Sequence, residues 1–129
     1  MRRAFMILAF LLAAFPLAAA GERPAAEQEK IDWLLSEIRG SDAVFVRNGK
    51  EHDGQQAAAH LKSKLWVAGK RVQTAREFIV GVASHSEASG QPYQIKRKDG
   101  TRELLEKWLL QRLAVFEEGA KARKPALGA

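Results

Sequence analysis

Serines and a histidine of this sequence could act together in nucleophilic catalysis. Ser84, Ser86 and Ser89 lie in a short serine-rich segment around His85, a second candidate base, and His60 lies earlier in the chain. A serine hydroxyl becomes a nucleophile when an imidazole takes its proton and a carboxylate, here from Asp53 or Glu87, orients that imidazole. The sequence lacks the G-x-S-x-G pattern that exposes such a serine in many hydrolases. A hydrolase using Ser84 or Ser86 with His60 is therefore the alternative function.

The histidines could also bind a metal ion. A zinc site needs three or four nitrogen, oxygen or sulphur ligands, and two histidines on one helix are usually four residues apart. The candidate ligands His52, Asp53, His60 and His85 do not show that spacing. We therefore predict no metal site, and we find no cofactor-binding motif that would predict a cofactor.

Arg47 is the most promising binding residue because it ends a predicted strand just before Asn48-Gly49. A guanidinium can form two parallel hydrogen bonds with a carboxylate or a phosphate. In the alternative, Arg47 pairs with an acidic residue of a helix and Asn48 only closes the strand. We predict a binding site in which a strand end, a helix and a turn converge, with these members: Arg47, Asn48, His60, Ser84, Ser86 and Tyr93.

Residues 74–93 are the stretch around which the other segments can be arranged. Thr74 and Glu77 match the S/T-x-x-E capping box that begins a helix. Apolar residues at helical spacing follow as far as Ala83. The retention of Gly81 inside this helix, despite its unfavourable helix propensity, predicts a closely packed backbone nearby. A Ser-Gly-Gln-Pro turn then leads to an alternating pattern over residues 93–97, which predicts a strand.

The remaining segments predict three further helices and one further strand. Helices are expected at the start of the domain, over residues 55–68, and after Thr101, which we expect to cap the last helix. Residues 43–47 are β-branched and aromatic and predict a strand, whereas residues 50–54 are expected to form a polar loop. The predicted fold class is α+β, with about four helices packed on a small two-stranded sheet in a single domain. Either pairing direction is possible, and antiparallel is favoured.

The three tryptophans differ in their position relative to the apolar stripe, the core-facing row of apolar residues, of the helix to which each is predicted to belong. Trp108 lies on the stripe of the last helix and is expected in the core. Trp33 and Trp66 each lie one position off a stripe, so we expect them to cover the edge of the core. An exposed aromatic that anchors a protein partner is the alternative.

The first 20 residues have the composition of a secretory signal peptide. Arg2 and Arg3 precede an unbroken apolar run over residues 4–15, and three alanines offer a small-residue cleavage site. That run is shorter than the roughly 20 residues needed to cross a bilayer. We expect cleavage after Ala20, a periplasmic location and no membrane span after cleavage. The expected organisation is a signal peptide (1–20), one domain (21–118) and a flexible C-terminal tail (119–129).

The amino-acid composition of the chain excludes some classes of function. The 129-residue chain has a formal net charge of +6 and no cysteine, which excludes thiol chemistry and disulfides. Removal of Arg2 and Arg3, with no acidic residue in the first 20, would lower that charge to +4. Basic residues scattered among acidic ones argue against nucleic acid as a partner. They permit attraction to anionic polymers or headgroups.

Several short phrases occur in order along the domain: FVRNG at 45–49, AAAHL at 57–61, TA and FI between 74 and 79, and SG and PY between 89 and 93. Together they make the chain similar to the YfeK-like family of small exported bacterial proteins of unknown function. The resemblance covers residues 31–113 and implies export and a single domain. It implies no activity and no catalytic residues.

The function expected from the sequence is that of a small exported binding domain. Its partner would be an unknown protein or an anionic cell-envelope ligand, and its oligomeric state is not predicted. Binding is favoured over catalysis because no catalytic motif is present.

Overall fold

A computed structural model describes residues 21–128, with side chains described as far as Arg123. The predicted signal peptide, residues 1–20, lies outside the described residues. The chain forms α1 (Ala25–Arg39), β1 (Val44–Arg47), β2 (Lys50–His52), α2 (Gly54–Ala68), a 3₁₀ turn (Gly69–Arg71), α3 (Ala75–Glu77) continued by a π-helix (Phe78–Val82), β3 (Gln94–Lys96), β4 (Arg102–Leu104) and α4 (Leu105–Gly128).

The sheet has four antiparallel strands in the order β2-β1-β3-β4. Both predicted strands are present as β1 and β3, and their antiparallel pairing, with Phe45 opposite Ile95, is confirmed. The expectation of two strands is wrong because β2 and β4 extend the sheet on its two sides. The α+β class is confirmed.

β2 was missed because its three residues, Lys-Glu-His, have neither β-branched nor apolar character. The polar loop predicted there is in fact half of a hairpin. Asn48 and Gly49 both have positive φ, 54° and 77°, as a two-residue type I′ turn requires. This turn pairs Arg47 with Lys50 and holds Arg47 at the end of β1.

β4 replaces the predicted beginning of the last helix. Asp99 accepts hydrogen bonds from the backbone N–H and the hydroxyl of Thr101, so Thr101 closes a turn instead of capping a helix. Glu103 consequently lies in the sheet, where its Oε1 is 2.5 Å from a nitrogen of Arg97. α4 begins at Leu105 and continues to Gly128. The predicted domain boundary at residue 118 therefore falls inside a helix, and the flexibility of the tail stays a prediction.

The helices cover one face of the sheet, and a continuous apolar core lies between them. Phe45 and Ile95, neighbours on that face, are both buried. On the other face, Lys96 and Glu51 form an ion pair at 2.8 Å. The helices contribute these buried side chains: Ile31, Leu34, Leu35, Ile38, Ala58, Leu61, Leu65, Ala75, Phe78, Ile79, Val82, Leu105, Leu109 and Leu113.

The predicted capping box at Thr74 is confirmed. The Thr74 hydroxyl accepts from the backbone N–H of Glu77 at 3.0 Å, and the Glu77 carboxylate accepts from the backbone N–H of Thr74. The helix then widens, since the N–H of Ala83 donates to the carbonyl of Phe78, five residues earlier, at 3.0 Å. Turns of π-helix are rare in proteins, and those that do occur are frequently found at functional sites. Here the π-helix leads directly into residues 84–93.

The tryptophans show different degrees of burial. Trp33 packs against Phe116 with ring centroids 5.1 Å apart and covers the core edge as predicted. Trp108 is half-buried, with its ring 6.3 Å from that of Phe45. Trp66 is 83% exposed, so the expectation that it covers the core is wrong. None of the described helices is both long enough and apolar enough to cross a membrane.

Gly54, and not Gly81, is the glycine at which the backbone packs closely. A Cβ at Gly54 would overlap the carbonyl oxygen of Ile38 and would lie 3.1 Å from the carbonyl oxygens of Arg39 and Ser41. A Cβ at Gly81 would meet no atom within 4 Å, so the predicted close approach there is wrong. The first residue of α2 therefore has to be small because α1 ends against it.

We predict opposite effects of alanine at these two glycines. Gly54→Ala should lower the free energy of unfolding by about 2 kcal/mol because α1 and α2 must separate to admit the methyl group. Gly81→Ala, the matched control, should raise it by about 0.5 kcal/mol by restricting the unfolded chain. Urea titration of both variants measures the two changes. Equal effects of the two substitutions would contradict the packing described for Gly54.

Candidate functional site

Tyr93 is the residue through which four parts of the fold meet. Its backbone N–H donates to the carbonyl of Ser84 and its carbonyl accepts from the N–H of Leu105, both at 2.9 Å. Its side chain is 4% exposed, and its hydroxyl reaches α2. There the Lys64 ammonium donates to it at 3.0 Å, and Nε2 of His60 lies 3.3 Å away. Residues just before β3 are thus joined to α2, to the segment after the π-helix and to the beginning of α4.

The hydrogen bonds of the Tyr93 hydroxyl favour one tautomer of His60. The ammonium of Lys64 can only donate, so the Tyr93 oxygen accepts its proton. The Tyr93 hydroxyl has no other acceptor among the described atoms, so we infer that it directs its own proton to Nε2 of His60. His60 is accordingly neutral with its proton on Nδ1, which is left available as a donor.

The surroundings of His60 also favour its neutral form. Burial is the largest cause lowering the pKa of His60 below its ordinary value of 6.5, followed by the nearby positive charges of Arg47 and Lys64 and by His52. Burial disfavours the charged imidazolium because it removes water, and the nearby positive charges disfavour it by repulsion. The neutral ring is the form that the Tyr93 hydrogen bond requires.

A small pocket lies beside this cluster between β1, β2 and α2, and we call it the Arg47 pocket. Its volume is about 30 Å³, enough for about one water molecule or the oxygen atoms of a small polar group. Its apolar wall includes Phe45, Leu61, Tyr93 and Leu105. Its polar residues, all at least partly accessible to solvent, are Arg47, His52, Gln56 and His60.

The polar groups around the Arg47 pocket are predominantly donors. Arg47 takes part in none of the ion pairs formed by the described side chains. The amide oxygen of Gln56 accepts from the N–H of Asp53 in a capping box, which leaves its NH₂ group. Nε2 of His52 is buried without a hydrogen-bond partner among the described atoms. With Nδ1–H of His60 and, in the tautomer protonated on Nε2, His52, these groups suit a ligand that accepts hydrogen bonds, and an anion most of all.

Asn48 and Ser86 connect the β1–β2 turn to residues 84–93. The Asn48 amide donates to the hydroxyl of Ser86 at 3.3 Å, and its oxygen accepts from the hydroxyl of Ser89 at 2.5 Å. The N–H of Ser86 donates to Gln91 across the same loop at 2.9 Å. These contacts position the loop next to β1, and direct ligand contact by Asn48, Ser84 or Ser86 stays a prediction.

Neither serine has the geometry of a nucleophile activated by His60, whose ring instead meets Tyr93. Ser84 is 7% exposed, and its oxygen lies 2.6 Å from the carbonyl of Val80 and 2.7 Å from Nδ1 of His85. A hydroxyl has one proton, which the carbonyl of Val80 requires. With that proton directed to Val80, Nδ1 of His85 donates to the Ser84 oxygen and does not accept its proton.

The predicted site residues form one connected region. Arg47, His60 and Tyr93 surround the Arg47 pocket, while the turn residue Asn48 joins them to Ser86. Ser84 joins through its backbone bond to Tyr93. Three further residues were missed, namely His52, Gln56 and Lys64. Lys64 was detectable because it follows His60 by four residues on α2 and so lies on the same side of the helix.

The described part of the chain contains no group of three or more histidine, aspartate or glutamate side chains placed to hold a metal ion. His52 and His60 both line the Arg47 pocket, whereas His85 contacts Ser84. The donors around that pocket, with their nearby positive charges, favour an anion over a cation.

These features define a small α+β domain with a donor-lined pocket and a buried tyrosine at its centre. The chain belongs to a family of unknown function, DUF5329, whose model matches residues 25–117. It is 40% identical to "Uncharacterized protein YfeK" of Salmonella typhimurium over 70 residues, which are 54% of this chain and 58% of that relative. The match thus spans less than two thirds of the relative, and it confirms the resemblance predicted from the sequence. No solved structure matches the chain.

We predict that acidification destabilises the protein through His60. Because the folded pKa of His60 is below 6.5, the unfolded chain binds the proton first as the pH falls. The stabilisation is complete above the unfolded pKa, and it is lost between that value and the lower folded pKa. His60→Gln should therefore lose less stability than the wild type between pH values of about 7.5 and 5.

Urea titration at both pH values tests this difference, and the histidine proton resonances measured by NMR give the pKa directly. A His60 pKa at or above 6.5 would contradict the account of its surroundings.

Proposed function

We propose that this protein is an exported binding domain whose Arg47 pocket takes an anionic group of a cell-envelope ligand. The observation that carries the proposal is that, among the described side chains, the Arg47 guanidinium forms no ion pair, while Nε2 of His52 beside it is buried without a hydrogen-bond partner. A buried polar group without a partner costs about 1–3 kcal/mol, and in the tautomer that places the ring proton on Nε2, His52 lacks an acceptor partner beside the partly exposed Arg47. A bound carboxylate or phosphate oxygen would supply that partner.

The chemistry of the site favours a carboxylate or a phosphate group as the anchored part. A guanidinium can offer such a group two parallel hydrogen bonds. The NH₂ group of Gln56 and Nδ1–H of His60 are further donors on the same pocket. The positive charge of Arg47 would attract the anion and strengthen its hydrogen bonds, whereas the charge of Lys64 is partly offset by the Glu87 carboxylate 3.7 Å away.

The rest of the ligand has space outside the small pocket. His60 also lines a wider groove of about 1060 Å³ between α2 and the π-helix. That volume is at the upper end of the usual range for small-ligand sites, about 300–1000 Å³. The groove combines valines with Lys64, so it suits a ligand with both apolar and polar parts. His60 lines both the Arg47 pocket and the wider groove, so it would lie between the anchored anion and the rest of the ligand.

Export is the second element of the proposal. It is supported by the charged start, the apolar run and the alanines of residues 1–20. The absence of cysteine means that the fold needs no disulfide in any compartment. Expression of the full chain followed by cell fractionation and intact-mass measurement tests export: a periplasmic species beginning at Gly21 is expected, and an unprocessed cytoplasmic species contradicts it.

The binding proposal is tested by thermal unfolding with muropeptides, acidic glycans and glycerol phosphates. A ligand that binds only the folded state adds about 2.7 kcal/mol at 100 times its Kd, which should raise Tm by about 10 °C. Arg47→Ala should abolish the shift. Lys121→Ala removes the same charge from an exposed position of α4 and should retain it.

Two results would overturn the binding proposal. One is the absence of a shift with every anionic fragment at concentrations that saturate ordinary sites. The other is a shift that Arg47→Ala leaves intact, since this would place the ligand elsewhere. A hydrolase using Ser84 is not favoured, because the single proton of its hydroxyl is directed to Val80.

A further inference from the structure

The outer surface of α2 has an unusual charge distribution. Residues 54–76, which include α2 and the 3₁₀ turn, contain five basic residues and no aspartate or glutamate. One of them, Lys64, turns inward to Tyr93 and has a side chain only 15% exposed. The four that remain exposed are Lys62, Lys70, Arg71 and Arg76.

Two large apolar side chains are exposed among these cations. Trp66 is 83% exposed and Val67 is 71% exposed. Lys62 precedes Trp66 by four residues on α2, so these two lie along one side of the helix, and Lys70 lies in the 3₁₀ turn that follows. All three line the same shallow groove. We call Lys62, Trp66, Val67, Lys70 and Arg71 the α2 outer face.

We propose that the α2 outer face binds the surface of an anionic phospholipid bilayer. An indole ring prefers the boundary between headgroups and acyl chains, where its apolar body and its N–H are both accommodated. Basic residues beside it gain attraction from anionic headgroups. An exposed tryptophan flanked by lysines and free of acidic neighbours in its own helix combines both contributions.

The opposite side of that groove limits the lipid-facing area. Glu29 and Asp32 of α1 and Glu22 line it across from Trp66. Their charges disfavour contact of α1 with the same surface, so the protein would dock on α2 and the 3₁₀ turn. Binding would be peripheral, by insertion of Trp66 and Val67. The Arg47 pocket is not part of this face, so the inference does not depend on an anion bound there, although Val67 and Arg71 also line the wider groove between α2 and the π-helix.

Cosedimentation with vesicles tests the proposal. The protein is recovered after expression of the full chain, and its N-terminus is identified by intact mass because an attached apolar leader would itself bind lipid. Binding is compared between vesicles containing phosphatidylglycerol and vesicles of phosphatidylcholine alone. We expect binding to the former, weakened by added salt, with a blue shift of tryptophan emission.

Variants of the α2 outer face, each with a matched control variant on α4, test whether this face is the one that binds the vesicles. The pair Lys62→Gln and Lys70→Gln, made together, should weaken binding about 25-fold, or about fivefold for each lysine. Lys107→Gln with Lys121→Gln removes the same charge from exposed positions of α4 and should change binding by no more than about twofold. Trp66→Ala should abolish the blue shift, whereas Val115→Ala, at another exposed apolar position, should preserve it.

The proposal is overturned if neither vesicle binds the protein, in which case Trp66 remains as an anchor for a protein partner. Equal binding to both vesicle types would also overturn it, because the charge of the face would then have no role. The same holds if the α4 control variants weaken binding as much as the α2 variants.

Discussion

The structure depends on a buried tyrosine whose polar end must be satisfied. Tyr93 is 4% exposed, so its hydroxyl needs partners inside the protein. Lys64 and His60 provide them from α2, and each is constrained in return. Lys64 is held inward, where it also donates to the carbonyl of His85 at 2.9 Å and places its ammonium 4.9 Å from the centre of the Tyr93 ring. The Tyr93 hydroxyl thus joins α2 to the segment before β3, and Lys64 joins α2 to the segment after the π-helix.

The donor-lined pocket is a consequence of this arrangement. Once Tyr93 has used Nε2 of His60, the remaining ring N–H of that residue is a donor. The β1–β2 turn then brings Arg47 and His52 to the same place, because two positive φ angles at Asn48 and Gly49 fold β2 back on β1. Arg47 finds no acidic partner among the described side chains. The fold therefore concentrates donors without supplying an internal acceptor, and this is the physical basis for expecting an anionic ligand.

The sequence predicted the features that depend on local periodicity and capping. The box at Thr74, the helix over α2 and the pairing of β1 with β3 were all expected from residue types alone. β2 was not, because Lys-Glu-His is polar and becomes a strand only through the Asn48-Gly49 turn and the neighbouring strand. β4 was mistaken for a helix start because Thr101 resembles an N-cap, whereas Asp99 binds it in a turn. The convergence of Arg47, His60 and Tyr93 was expected, but the burial of Ser84 and the role of Lys64 were not, since both depend on tertiary contacts.

The Tyr93 hydroxyl couples Lys64 to the rest of the fold, and a double-mutant cycle tests this coupling most directly. Tyr93→Phe removes only the hydroxyl, and Lys64→Met removes the ammonium while keeping most of the apolar stem. The free energies of unfolding of the wild type, both single variants and the double variant give the coupling. We expect a coupling of about 1 kcal/mol, because either single change removes one hydrogen-bond partner of the other group. Additive effects of the two changes, within about 0.3 kcal/mol, would contradict this coupling.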